Sequence, residues 1–116
     1  MEKIKIAAVS YYNTKPFLEG LESSSLRDEI ELVLDFPARC ADLLLSGKVD
    51  MGWVPVAVLI QIPGLRIIAD DCIGSMCEVK TVILLGERHV TEVGTIYLDS
   101  HMRTSGLVRT HLLKNH

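Results

Sequence analysis

The chain has 116 residues, a net charge of −3, 48% hydrophobic and 23% charged residues. That is the balance of one soluble, folded domain, or part of one. It holds no basic patch with interleaved aromatics, which argues against a nucleic-acid surface, and no apolar run long enough to span a bilayer. The amino terminus passes from Met1-Glu2-Lys3 into alternating strand without the apolar core of a signal peptide, so a cytoplasmic protein is expected.

Ile4, Ile6, Ala8 and Val9 read as a buried first strand. The polar stretch Ser10-Tyr11-Tyr12-Asn13-Thr14-Lys15-Pro16 follows, and Phe17, Leu18 and Leu21 then form the stripe of a short helix opened by Pro16. A loop between a strand's carboxyl end and a helix's amino end has outward N–H groups that favour an anion. Ser10 and Thr14 bring hydroxyls to it, and Asn13 both a donor and an acceptor. The same residues also serve as ordinary caps and turns, and the loop alone favours that plainer reading.

Residues 30–36 alternate apolar with acidic side chains and read as a second strand near a sheet edge. Pro37 opens a helix whose apolar positions are Ala38, Ala41, Leu44 and Leu45, with Gly47 as its left-handed stop. Cys40 lies on the apolar face of that helix as a small buried hydrophobe. Residues 49–54 read as a third strand in which Gly52 implies a close backbone approach or a bend. Pro55 starts an apolar turn or helix, 56–62, that Pro63-Gly64 breaks. Further strands are predicted at 65–69 and 79–85, with Asp70, Asp71 and Gly74 in the turn between. Strands alternating with short helices predict an α/β fold with a mostly parallel sheet and helices on both faces.

Residues 86–93 are polar and loop-like, 95–98 read as a fresh strand, and a helix follows from about Thr104 with Leu107, Val108, Leu112 and Leu113 as its stripe. Between strand and helix lies Asp99-Ser100-His101-Met102-Arg103-Thr104-Ser105. Arg103 offers a guanidinium fork that suits a carboxylate, with the Thr104 and Ser105 hydroxyls beside it at a helix start. The plainer reading is a capped helix with an exposed arginine, but two polar clusters of matching kind point to a shared anionic ligand. Three cysteines, Cys40, Cys72 and Cys77, without C-x-x-C spacing, and four histidines without ligand spacing, support neither a disulfide framework nor a zinc site. Asp50 reads as fixing the turn before its strand and Asp99 as capping the helix after it.

The chain resembles the amino-terminal part of the menaquinone-biosynthesis chorismate dehydratase family, enzymes of the futalosine route with a type II periplasmic-binding-protein fold. The resemblance rests on Val9-Ser10-Tyr11-Tyr12-Asn13-Thr14-Lys15-Pro16, on Pro37-Ala38-Arg39-Cys40-Ala41, and on Leu44-Leu45-Ser46-Gly47-Lys48-Val49-Asp50-Met51-Gly52 with Val54-Pro55-Val56-Ala57. Cys72-Ile73-Gly74 and Tyr97-Leu98-Asp99 followed by Ser105 extend it in register over nearly the whole chain. It implies a hydro-lyase that converts chorismate to 3-[(1-carboxyvinyl)oxy]benzoate and water without metal or organic cofactor. It also implies a first lobe at 1–86, and a hinge with the start of a second, incomplete lobe at 87–116. In that frame Asn13 orients the reacting centre, Ser10, Thr14 and Thr81 line the substrate's side, and Arg103, Thr104 and Ser105 hold a carboxylate. No side-chain base stands out, which leaves the substrate's own carboxylate for that role. The expected partner is a small anionic substrate, with self-association through the incomplete second lobe as a further expectation. The alternatives are a non-catalytic small-anion binding module of the same fold and an inactive remnant.

Overall fold

A computed structural model describes residues 2–101 and 103–113. Its centre is a three-stranded parallel sheet of β1 (Ile4–Val9), β2 (Ile30–Asp35) and β3 (Met51–Gly52), in the order β2-β1-β3. Helix α1 (Lys15–Glu22) joins β1 to β2, and α2 (Pro37–Leu45) joins β2 to β3. The chain is thus an α/β protein built from two successive β-α-β crossovers.

The strand sequences follow from their places in the sheet. β1 is flanked on both sides, and Ile6, Ala7 and Ala8 are buried, so its middle carries no charge. β2 lies at an edge and leaves Glu31 and Leu34 exposed. Its register with β1 runs from Ile4 opposite Ile30 to Val9 opposite Asp35.

β3 has only two paired residues, Met51 opposite Ile6 and Gly52 opposite Ala7. Side-chain and flanking backbone bonds lengthen this short ladder. The Lys5 amide donates to Asp50 Oδ2 at 2.8 Å, the Asp50 amide to the Lys5 carbonyl at 2.9 Å, and the Trp53 amide to the Ala7 carbonyl at 3.0 Å. Gly52 has the close approach its position predicts, since a Cβ there would meet the Ala7 carbonyl oxygen at 3.3 Å and the Ala7 Cβ at 3.4 Å.

α2 starts at Pro37 and stops at Gly47, whose φ of +63° is the left-handed conformation expected there. The Gly47 amide donates to the Leu44 carbonyl and the Lys48 amide to the Leu43 carbonyl, the two bonds of a Schellman stop. Ala38, Cys40 and Ala41 turn inward, and Ala7, Cys40 and Val49 form the core with Val9, Val33, Leu43 and Leu44 around them. Small residues at these positions let the helix lie close against β1.

After β3 the regular structure thins. The apolar segment after Pro55 forms a 3-10 helix, Val56–Ile60, which buries Val58. The strands predicted at 65–69, 79–85 and 95–98 do not form; residues 80–81 make a turn and 82 a bend, the others have no regular structure, and all but Leu65 and Ile96 are exposed. A strand needs a neighbour to take its N–H and C=O groups, and among the described residues strand pairing is confined to β1, β2 and β3. The 86–93 loop holds one 3-10 turn, Val90–Glu92, whose Thr91 hydroxyl lies 2.9 Å from His89 Nδ1. The final helix, α3 (Arg103–Leu113), begins one residue before the predicted start. No helix among the described residues is long and apolar enough to cross a membrane.

Candidate functional site

In a parallel sheet all the carboxyl ends share one edge, so the residues that follow β1, β2 and β3 gather there: Ser10, Phe36 and Trp53. The chain moves from β1 outward to β2, then returns past β1 to lay down β3 on the other side. Such a reversal leaves a crevice beyond the carboxyl ends of β1 and β3, the place where open α/β sheets take their ligands. The loop at 10–14 and the loop at 53–55 form its two sides. The Phe17 and Trp53 rings, 5.8 Å apart and tilted by 53°, tie the first turn of α1 to the second loop.

Ser10 is exposed, and its amide donates to the Asp35 carbonyl at 2.9 Å, so the loop leaves the sheet from a fixed point. Residues Tyr12–Thr14 make one turn of 3-10 helix, closed by the Thr14 amide donating to the Tyr11 carbonyl. Asn13 is exposed, whereas Thr14 is completely buried, and the Thr14 hydroxyl donates to Asn13 Oδ1 at 3.5 Å. Thr14 is the residue before α1, yet its side chain makes no capping bond to the helix amides. The hydroxyl thus steadies Asn13 instead of closing the helix, which weakens the plain capping reading of this loop. Lys15 adds a cation, its Nζ 4.4 Å above the exposed Tyr12 ring.

The second cluster comes to the β2 side of the same edge. His101 stacks on Phe36 with ring centroids 4.4 Å apart and planes 20° from parallel. Arg103, the first residue of α3, makes a salt bridge and hydrogen bond through Nη2 to Asp42 Oδ1 of α2. The guanidinium holds a carboxylate as its chemistry suggests, but that carboxylate is the chain's own. Thr104 is half-buried beside it, and the Ser105 side chain lies outside the described residues. Asp99 accepts the His101 amide at 2.8 Å, which shapes the turn ahead of α3.

The structure therefore joins Asn13 to Thr14 directly, and links Ser10 to the Arg103 cluster through the segment Asp35-Phe36. Thr81 is not brought to this edge by any pairing, for it stands exposed in a turn within the segment 79–85. The aromatic lining from Trp53 and the His101–Phe36 stack was not apparent from spacing, because each pair joins residues far apart in sequence. Trp53 was read as part of a strand at 49–54, whereas β3 ends at Gly52 and leaves Trp53 in the loop that follows. Lys15 lay inside the loop motif but was absorbed into the reading of the helix start.

The Cys40 thiol sits just beneath this edge, buried against the Asp35 carbonyl. Burial pushes its pKa up, the Asp35 charge adds to the rise, and the Sγ donates to the Asp35 carbonyl at 3.7 Å. Cys72 and Cys77 are free and exposed. Among the described residues no three His, Cys, Asp or Glu side chains are grouped so as to hold a metal ion. What the edge offers is neutral hydrogen-bond donors, the Lys15 ammonium, an Arg103 guanidinium paired with Asp42, and flat rings.

No curated protein and no solved structure matches the chain. A protein-family model described as menaquinone biosynthesis matches residues 4–116 and so takes in both polar clusters, and the chain belongs to this menaquinone-biosynthesis family.

Proposed function

We propose that this chain carries the chorismate-binding edge of a chorismate dehydratase, an enzyme that removes water from chorismate to give 3-[(1-carboxyvinyl)oxy]benzoate. The observation that carries the reading is the seating of Asn13, an exposed amide steadied by a buried hydroxyl at the crevice beyond β1. In the reaction a ring C–H bond and a ring C–OH bond break, the proton and hydroxide leave as water, and the ring becomes aromatic. Asn13 donates to the departing hydroxyl and stabilises the charge that develops on it. Ser10 and Thr104 supply further hydroxyls, while Lys15 and Arg103 balance the two substrate carboxylates, Arg103 by exchanging Asp42 for the ligand. A substrate carboxylate takes the ring proton. Thr14 contributes through Asn13, and Thr81 and Ser105 join the site only if the segments that bear them close over it.

Purified chain incubated with chorismate is expected to bleach the substrate's ultraviolet absorbance as the aromatic product forms. Calorimetric binding without bleaching would leave a small-anion binding module instead, and absence of both would overturn the assignment.

A further inference from the structure

Cys72 and Cys77 are both free and exposed, whereas Cys40 is fully buried in the core. Only Ile73-Gly74-Ser75-Met76 separates the two exposed thiols, and this stretch draws them toward each other from both ends. A Cβ added at Gly74 would meet the Cys72 Sγ at 3.8 Å, so that sulfur leans forward along the chain and lies over Gly74. From the other end, the Ser75 hydroxyl donates to the Cys77 carbonyl at 2.7 Å and accepts the Cys77 amide at 3.2 Å, which folds Cys77 back onto Ser75. One sulfur is thus held at residue 74 and the other cysteine at residue 75. Met76 stands wholly exposed between them, so a small reagent reaches this turn from solvent.

We propose that Cys72 and Cys77 form a redox couple, closing to an intrachain disulfide by exchange with a small-molecule disulfide and opening again with a thiol. One cysteine thiolate attacks the external disulfide, whose S–S bond breaks and whose other half leaves as a thiolate. The second cysteine thiolate attacks the mixed disulfide, the protein S–S bond forms, and another external thiolate departs. Each departing thiolate takes up the proton that a cysteine lost, so two cysteines are oxidised and one external disulfide is reduced to two thiols. The short connection gives each thiol an effective concentration on the order of millimolar toward the other, and an exposed disulfide of this kind is readily reversed. The couple does not depend on the chemistry proposed above.

Reduced chain is equilibrated with glutathione disulfide, its remaining thiols are blocked, and it is digested with trypsin. The peptide from Ile67 to Lys80 is expected lighter by two hydrogens, with Cys40 blocked as a thiol, and dithiothreitol added before blocking should abolish the bridge. Cys77→Ser should instead retain glutathione on Cys72. Ser75→Ala removes the hydroxyl that folds Cys77 back and should lower the ratio of bridge to mixed disulfide by about three- to ten-fold. Both positions lie outside the sheet, so the β1 amides should keep their protection from hydrogen exchange in each variant. Glutathione held on both cysteines of the parent chain, a bridge to Cys40 or to a second chain, or a ratio indifferent to Ser75→Ala would each overturn the proposal.

Discussion

Asn13 owes its place to a neighbour sealed from water, and the two residues should separate in their effects. Asn13→Ala removes the amide itself and is expected to slow chorismate turnover by about a hundred-fold, read as kcat. Thr14→Val keeps the shape of the buried side chain but removes the hydroxyl that steadies Asn13. A loss of about three- to ten-fold is expected, the range of one hydrogen bond, and an equal loss in both variants would rule out a positioning role for Thr14. Gly52 is a second residue with no substitute. A Cβ there would press on the Ala7 carbonyl and Cβ, so Gly52→Ala should cost about 1–3 kcal/mol of stability, measured by urea denaturation.

Within α2, Cys40 makes stability depend on pH in a defined direction. Its folded-state pKa is raised above the ordinary value of 9.0 by burial and then by Asp35, so the folded chain holds the thiol proton more tightly than the unfolded chain. The contribution is full below about pH 9 and is lost as the pH climbs through the raised value. The urea midpoint of the parent chain should therefore fall more steeply above pH 9 than that of Cys40→Ala. The elements up to Val58 were legible in sequence because each signal was local: the β1 run, Pro37 and Gly47 around α2, Gly52 against a neighbour. The strands expected at 65–69, 79–85 and 95–98 were misread because alternating apolar residues report a taste for burial, while a strand also needs a partner alongside. In the site, the 10–16 loop was legible as a polar break between apolar elements. The Asp42–Arg103 pair was not, since nothing in either segment names the other.

At the scale of the whole molecule, α3 is tethered to the sheet's carboxyl edge by the His101–Phe36 stack and the Arg103–Asp42 pair. The ion pair is partly exposed, which limits its worth to about 1 kcal/mol. Arg103→Gln should then speed hydrogen exchange in α3 by about five-fold, while β1 and β2 amides, held by the ladder, keep their rates. Faster exchange throughout would mean that the pair supports the sheet itself. The sheet has a further property, one of timing. All three strands and both crossover helices fall within residues 4–52, and their pairings span short stretches of chain, which favours rapid folding. As synthesis proceeds from the amino terminus, the crevice that holds Asn13 can take shape before the exposed apolar run at 79–85 has left the ribosome. The fragile stretch therefore emerges onto a scaffold already folded.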